Sequence, residues 1–301
     1  MASMRDIKRR KSSIQSTQQI TKAMKLVSTV KLQRAKANAE RSKDYFQSMF
    51  QTVNSILAKT SGLDHPYLRA GESSKKAVIV MTSNRGLAGG YNSNITKLVT
   101  GSGLSREDVL VYAVGRKGKE SLQRGGYRIE EDWSDIAEEP VYYDAMQLGK
   151  RLLEKFAAGE IGEIYLAYTK FKNTVSHEPV MIKLLPVEVS QEETEETSGE
   201  RGLSGESGNA EGKKARAIMN FEPEDEEALN MIIPKYINSQ IYGGLVEAVA
   251  SENGARMQAM DSATSNAEEM IDDLTLMYNR ARQGSITQEL TEIIAGAEAI
   301  S

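Results

Sequence analysis

The chain has 301 residues, 40 % apolar and 27 % charged, a composition typical of a soluble protein with one large or two modest domains. Its 38 basic and 42 acidic residues give a net charge of -4 that is spread unevenly along the chain. Cysteine is absent, which excludes disulfides, thiolate metal ligands and a thiol nucleophile. No apolar run approaches the ~20 residues of a membrane-spanning helix, and neither a signal peptide nor a transit peptide is recognised. We therefore expect a soluble or peripheral protein.

The first predicted element is a long helix from Met4 to about Ala58, because neither proline nor glycine interrupts this stretch. Gly62 is the expected stop. Apolar residues at alternating spacings of three and four predict that one face of this helix packs against a second helix. The predicted seam residues are Ile20, Ala23, Val27 and Val30 in the first half, and Phe46, Phe50, Val53 and Leu57 in the second.

Positive charge is concentrated in the same helix. The segment Met1–Lys43 contains twelve Lys or Arg residues and only Asp6 and Glu40 as acids. Such a helix can be a solvated face, or it can bind nucleic acid, anionic lipid or an acidic protein partner. On charge alone these alternatives stay open.

The middle of the chain alternates predicted strands and helices. Strands are predicted at Ala77–Thr82, Val109–Val114, Tyr127–Glu131, Ile164–Phe171 and Val180–Val187, and a helix at Tyr142–Ala158. The last two strands are predicted to form a hairpin. This alternation indicates a Rossmann-like α/β domain with a parallel or mixed sheet at about 77–189.

A glycine-rich loop, residues 83–90, follows the first strand and raises the possibility of a nucleotide-binding enzyme. Gly86, Gly89 and Gly90 match neither the G-x-G-x-x-G pattern nor a P-loop. The favoured interpretation is a turn from strand to helix, with Ser93 or Asn94 as the helix N-cap.

Residues 190–217 are predicted to be a disordered acidic insertion. Glu188–Glu200 contains six acids and no base, and Ser, Gly and Glu dominate the residues that follow. Phe221-Glu222-Pro223 is expected to restart ordered structure with a short helix that Pro234 ends or kinks.

The final predicted element is a long helix from Lys235 to Ala299. A heptad seam is predicted from Met260, Ala267, Leu274 and Ala281 together with Ala263, Met270 and Met277, and a shifted seam from Ile286, Leu290, Ile293 and Ala297. A helix folded back at Gly254 or Gly284 is the alternative. We expect this helix to pair with the N-terminal one as a long antiparallel coiled coil beside the α/β domain. The predicted parts are therefore a coiled-coil helix at 1–62, the α/β domain at 77–189, the insertion at 190–217 and the second coiled-coil helix at 218–301.

No catalytic, cofactor-binding or metal-binding residues are predicted. The two histidines, His65 and His177, fall in predicted turns, and the sequence has no zinc-protease or serine-hydrolase motif. The carboxylates lie mostly in acidic runs that solvation explains.

The terminal helices resemble those of the gamma subunit of bacterial rotary (F-type) ATP synthases. The segments that carry the resemblance are Ile7–Arg10, Thr17–Lys25, Asn238–Tyr242, Ala250–Glu252, Ala255–Met257, Ala259–Met260, Ala263–Ala267, Tyr278–Gln283 and Ile286–Ile293. The glycine-rich loop and Phe221-Glu222-Pro223 fit as well. Asn84 and Ala88 stand where the family often has Asp and Cys, and the acidic insertion is longer than usual.

The resemblance implies a central rotor shaft without a catalytic site of its own. It would transmit torque between an ion-driven c-ring and a ring of alpha and beta subunits, for ATP synthesis coupled to proton transport. Its partners would be the alpha and beta subunits, the epsilon subunit and the c-ring, with no nucleic acid, and it would lie peripherally at the cytoplasmic face of the bacterial cell membrane. The coupling ion, proton or sodium, stays open because its ligands lie in other subunits. The alternatives are a basic coiled-coil protein that binds nucleic acid and a nucleotide-binding enzyme that uses the glycine-rich loop.

The resemblance also implies site residues. Contact with the catalytic ring is implied for Met24, Lys25, Arg256, Gln283 and Thr287, and contact with the foot region and c-ring for Phe221 and Glu222. Arg256 falls at a predicted seam position, so its charge, if buried, would need a partner.

Overall fold

The computed structural model describes residues 4–59, 65–174, 176–187 and 225–298. Two long helices are its largest elements, and between them in sequence lies an α/β domain. The elements in chain order are α1 (Met4–Lys59), β1 (Lys76–Met81), α2 (Tyr91–Thr100), β2 (Val109–Val114), α3 (Arg116–Arg124), β3 (Arg128–Asp132), α4 (Tyr142–Ala157), β4 (Glu163–Phe171), β5 (His177–Leu185) and α5 (Asp225–Glu298). The predicted fold class is confirmed.

The five strands form one mixed sheet in the order β3-β2-β1-β4-β5. β1 pairs in parallel with β2 and β4, β2 pairs in parallel with β3, and β5 closes the edge antiparallel to β4. From β1 the chain therefore moves outward to β2 and β3, and then returns to place β4 on the other side of β1.

Helices cover both faces of the sheet, which explains why its central strands are apolar without alternation. In β1, Ile79 and Met81 enter a core shared with α4, α5 and the end of α1, whereas Val78 and Val80 enter a core shared with α2 and α3. The whole of β2 is buried for the same reason.

α1 and α5 run antiparallel. Near the sheet, Val53 and Ile56 of α1 share a core with Leu229 and Ile233 of α5. Far from the sheet, the Thr264 side chain donates a hydrogen bond to Thr21 over 2.7 Å. The 74 residues of α5 span about 110 Å at ~1.5 Å per residue, so much of the helix extends beyond the sheet.

The C-terminal helix is longer than predicted, because it already includes Asp225 and continues through Pro234. Proline removes one helical hydrogen bond, at a cost of ~3 kcal/mol. Leu229, Ile233 and Ile237 are fully or almost fully buried against the domain on both sides of Pro234. Burial of three such side chains contributes roughly 1.5–3 kcal/mol each, which outweighs the proline penalty.

The helix is also continuous at Gly254 and Gly284, the two positions at which a fold-back was the alternative. Gly254 is buried, and a Cβ atom there would stand 2.6 Å from Cε1 of His177. Glycine at this position therefore allows β5 to approach the helix closely and does not mark a break.

The predicted N-cap of α2 was wrong, and the predictions for residues 190–217 and 221–222 fall outside the described residues. α2 begins at Tyr91 with Gly90 as its N-cap and no capping side chain, so Ser93 and Asn94 lie within its first turn. Phe221, Glu222 and the predicted insertion at 190–217 lie outside the described residues, and the division of the chain into those parts stays a prediction.

Candidate functional site

The candidate site is the two-helix segment, which we define as residues 4–41 of α1 and 250–281 of α5. Its buried or half-buried positions alternate at spacings of three and four on both helices, as in a coiled coil. On α1 this seam consists of Ile7, Lys11, Ile14, Gln18, Thr21, Lys25, Ser28, Leu32, Ala35 and Ala39; on α5 it consists of Met257, Met260, Thr264, Ala267, Ile271, Leu274, Tyr278 and Ala281.

The middle of this seam is polar. Thr21, Ser28 and Thr264 are all buried. Thr264 Oγ1 lies 2.7 Å from both Thr21 Oγ1 and the Met260 carbonyl oxygen, and Thr21 Oγ1 donates to the Gln18 carbonyl over 3.0 Å. One turn further along, the Lys25 ammonium contacts the Asp261 carboxylate at 2.5 Å. The sequence pattern does not identify these hydroxyls, because a heptad signal rests on apolar residues.

The seam predicted for the first half of α1 was therefore wrong. Ile20, Val27 and Val30 are 59 %, 58 % and 52 % exposed, and Ala23 is exposed as well. The centre of their row lies about 150° around the helix from the true seam, because successive residues of a helix are ~100° apart. Together with Leu26, which is 68 % exposed, they form what we call the outer stripe: Ile20, Ala23, Leu26, Val27 and Val30.

The predicted seam of α5 was half correct. Met260, Ala267, Leu274 and Ala281 face α1, but the intermediate positions are occupied by Thr264, Ile271 and Tyr278. Met270 and Met277 are exposed instead, at 43 % and 55 %. In the second half of α1, Val53 is buried as predicted, whereas the side chains of Phe46, Phe50 and Leu57 lie outside the described residues.

The N-terminal site residues lie at the level of this polar region. Met24 is half-buried beside the seam. Lys25 points toward α5 and not directly outward, with 41 % of its side chain exposed. The side chains nearest in sequence that do face outward are Leu26 and Val27.

The C-terminal site residues lie where α5 continues alone. Lys25 pairs with Asp261, and the same antiparallel register places Met4, the first residue of α1, opposite about residue 281 of α5. α5 therefore continues beyond the described end of α1. Gln283 and Thr287 are exposed in this C-terminal extension, residues 282–298, and Thr287 Oγ1 donates to the Gln283 carbonyl of its own helix. Ile286, Leu290 and Ile293, which had been predicted as a second seam, are 49–68 % exposed.

Arg256 is held differently from the other site residues. Its guanidinium contacts the Glu252 carboxylate at 2.7 Å, and both side chains are only 11 % exposed. The same guanidinium lies 3.5 Å from the carbonyl oxygens of Arg85 and Gly86 in the glycine-rich loop. The expectation that a buried Arg256 needs a partner agrees with this geometry.

Burial raises the pKa of the Glu252 carboxyl, and the positive charge of Arg256 opposes that rise. The pKa rises overall, so burial destabilises the charged carboxylate more than the positive charge of Arg256 stabilises it. Nearby, burial raises the pKa of Tyr91 well above its ordinary range, and its hydroxyl donates to the Ala248 carbonyl over 3.2 Å.

A second group of charges joins α1 to the domain. Lys31 of α1 lies 3.3 Å from Glu138, which precedes α4, and Arg85 of the glycine-rich loop lies 3.7 Å from the same carboxylate. Asn84 accepts a hydrogen bond from the Arg116 amide and donates one to the Ser134 carbonyl. The loop thus links α5, α3 and the segment before α4, and its side chains and carbonyls serve packing.

The described residues contain no group of His, Asp and Glu side chains suited to hold a metal ion. Of the two histidines, His65 is fully buried, accepts from the Tyr67 amide and lies 3.2 Å from Asn230. His177 packs on Phe171, and burial lowers its pKa. None of the helices in the described part combines the length and hydropathy that crossing a bilayer requires.

Comparison with protein families gives one match that covers nearly the whole chain. The family model described as ATP synthase matches residues 3–300. The "ATP synthase gamma chain" of Lachnoclostridium phytofermentans is 65 % identical over 301 residues, which cover all of both chains. The "ATP synthase gamma chain, sodium ion specific" of Acetobacterium woodii is 40 % identical over 305 residues, which cover 99 % of both chains.

Solved structures resemble the fold over the same length. A chain of the Euglena gracilis mitochondrial ATP synthase, in a structure that includes F1 and the c-ring, superposes with a TM-score of 0.66 at 19 % identity. The match covers 99 % of this chain and 94 % of that one. A chain of the rotor of the same enzyme superposes with a TM-score of 0.65 at 18 % identity.

Proposed function

The chain belongs to the gamma-chain family of ATP synthases, as the central stalk subunit of an F-type enzyme, and from that premise we propose how its described surfaces are used. It is a non-catalytic subunit. The two-helix segment and the C-terminal extension act as the shaft inside the ring of alpha and beta subunits. The family match does not support the alternatives of a nucleic-acid-binding coiled coil or a nucleotide-binding enzyme.

The observation that carries this proposal is the placement of apolar side chains on the outside of the shaft. The outer stripe is exposed on α1, and Met270 and Met277 are exposed on α5. A monomeric soluble protein rarely exposes an apolar patch of this kind unless a partner meets it. In our proposal the alpha and beta subunits are that partner, and the extension with Ile286 and Leu290 lies deepest in their ring.

The α/β domain is the broad end through which torque enters. It is fixed to α5 by a continuous buried row, Leu229, Ile233, Ile237, Ile241 and Leu245. A buried row of this kind transmits force with little bending between helix and domain, because packed cores resist deformation. We place the epsilon subunit and the c-ring at this end, with Phe221 and Glu222 as contacts that stay predictions.

This arrangement makes the chain peripheral to the membrane through the c-ring, and we propose the cytoplasmic face of the bacterial cell membrane. The ion that drives rotation is a property of the c-ring in this scheme. The Acetobacterium woodii relative is named as sodium ion specific. Both ions are therefore compatible with a gamma chain of this architecture.

Disulfide trapping tests the rotor directly, because this chain has no cysteine of its own. Leu26 is a better position than Lys25, since Lys25 faces Asp261 while Leu26 is 68 % exposed. Leu26→Cys is paired with a cysteine in a beta-subunit loop that faces the shaft, in a complex otherwise free of reactive thiols. We expect oxidation to stop multi-turnover ATP hydrolysis and reduction to restore it.

Ser28→Cys is the matched control. Ser28 is two residues away at the same height, but it is 2 % exposed and faces α5, so it should not reach a beta subunit. Stoichiometric cross-linking at position 26 with full, sustained turnover would show that this part of the chain need not move past the beta subunits. That outcome would refute the rotor proposal.

A further inference from the structure

A cavity of about 360 Å³ lies where α5 crosses the glycine-rich loop and the neighbouring strand. Its walls include Gly89, Gly90, Asn94, Thr169, His177 and Gln258. The volume lies within the range of ~300–1,000 Å³ that small-molecule sites occupy. Neither the shaft surfaces nor the cores described above account for it.

The position of the cavity in the sheet is one at which open α/β sheets bind ligands. The chain leaves β1 in one direction, toward β2, and later adds β4 on the other side, so the connections after β1 and β4 diverge. The crevice between them lies outside the carboxyl ends of these parallel strands, and it is the position where doubly wound sheets bind their ligands. Gly89 and Gly90 follow β1, and Thr169 belongs to the end of β4.

Two independent features of the walls favour a group rich in hydrogen-bond acceptors. The ten-residue helix α2 begins at this cavity with Gly90 as its N-cap, and no side chain caps its first amides. Such an end attracts negative charge. Thr169 is 3 % exposed, and its hydroxyl has no hydrogen-bond partner among the described residues.

The remaining walls fit the same chemistry. Asn94 and Gln258 contribute amides, and Ser262 a hydroxyl. No carboxylate is among the wall residues of the cavity within the part of the chain that the structure describes. The Thr174 backbone lies near the His177 ring, but neither ring nitrogen makes a hydrogen bond of ordinary geometry.

We propose that this switch-point cavity binds a small phosphate ester, with the phosphate at the N-terminus of α2 and the Thr169 hydroxyl as a donor. No Lys or Arg is among its described wall residues, so recognition rests on backbone dipoles and hydroxyls. The glycine-rich loop matches neither nucleotide template, and the ligand in this proposal is bound without being turned over.

Protection of an introduced cysteine tests the site on the full-length chain. Gln258 is exposed at the cavity wall, and Gln258→Cys would be the only thiol in the chain. AMP and inorganic phosphate should slow its alkylation, by about sixfold at five times the dissociation constant, because only empty sites react. Adenosine, which lacks the phosphate, should not.

Thr169→Val identifies the hydroxyl as the recognising group, with Thr100→Val as the matched control on the exposed side of α2. Adding Thr169→Val should abolish protection without lowering the melting temperature, since its hydroxyl has no partner to lose among the described residues. Thr100→Val should leave protection intact.

Three results would overturn the proposal. The first is alkylation unaffected by phosphate or AMP up to saturating concentrations. The second is equal protection by adenosine. The third is a cysteine at position 258 that reacts in the free chain but is blocked in the assembled enzyme without any ligand, which would assign the cavity to a protein partner.

Discussion

The buried pair of Glu252 and Arg256 predicts an asymmetric response to mutation. Arg256→Met leaves a carboxylate behind in a site where both side chains are 11 % exposed. Breaking a fully buried pair in this way costs ~3–5 kcal/mol. The residual exposure reduces this penalty, so we expect the free energy of unfolding to fall by about 2–3 kcal/mol.

Removing the carboxylate should lower the free energy of unfolding far less. Burial raises the pKa of Glu252, so folding stabilises its neutral form relative to its charged form. Glu252→Gln is neutral and nearly the same size, and we expect its effect to stay within about 1 kcal/mol. It follows that adding Glu252→Gln to Arg256→Met should restore about 1–2 kcal/mol, which makes the double variant more stable than Arg256→Met alone.

Urea unfolding of the full-length chain, followed by circular dichroism, measures all four proteins of this cycle. Lys150 and Glu154 provide the matched control: they are also four residues apart on one helix, but they are 3.8 Å apart and 69 % and 64 % exposed. Their coupling should not exceed about 0.5 kcal/mol. If Glu252→Gln further destabilised Arg256→Met, the carboxylate would not be the costly group, and our reasoning on this pair would be wrong.

Three further predictions concern pH, surface charge and the acidic segment. The folded chain holds the Glu252 proton more tightly than the unfolded chain does, so this group's contribution to stability falls as the pH rises above 4.5, and the urea midpoints of Glu252→Gln and wild type should converge as the pH falls toward that value. Lys22 and Arg34 are exposed, and reversing the charge of either one alone should weaken its interactions with a partner by only ~0–1 kcal/mol. Reversing both charges together should reduce the number of ions pumped per ATP hydrolysed. Unchanged coupling in the double variant would leave steric pushing as the mechanism. Replacing residues 191–212 by a short Gly/Ser linker should preserve assembly and turnover, because their composition cannot bury a core; loss of co-purification with the beta subunit would show that they bind a partner.

The α/β domain was largely predictable because buried parallel strands carry a strong signal. Val109–Val114 was predicted with its observed bounds, and the strand at 77–82 differs from Lys76–Met81 by one residue at each end. A short run that is apolar at every position and bounded by turn residues is typical of a strand buried on both faces. β5 was placed three residues late, since Pro179 and the polar residues before it gave no strand signal.

The faces of the long helices were not predictable from periodicity alone. An apolar row shows that a face is covered, but it does not show by what. Ile20, Val27 and Val30 form such a row, yet α5 packs on a polar row centred nearly on the opposite face of α1, which contains Thr21 and Ser28. In α5 the heptad row that begins at Met260 was predicted correctly. The second row of the seam begins at Thr264, four residues after Met260, and not at Ala263, three residues after it. Only the contacts with α1 distinguish these two possibilities.

Among the site residues, Arg256 shows what sequence could and could not provide. Its need for a partner followed from its predicted seam position, although the observed seam contains Met257 instead. Glu252 lies four residues earlier on the same helix face, a spacing that sequence does reveal. The carbonyls of Arg85 and Gly86 are about 170 residues away, and only the fold brings them to the guanidinium.

The polar middle of the shaft has a physical rationale in register. Apolar seams permit slippage by one heptad, about 10 Å along the axis, because each knob fits the next hole nearly as well. Thr21 pairs with Thr264 and Lys25 with Asp261 in one register only, since a shift would break both of these contacts between the helices. A rotating shaft needs a fixed relation between its two helices more than it needs strong adhesion. Because polar groups set the register inside, the apolar residues of α1 are available for the outer stripe, where a surrounding ring can bear on them.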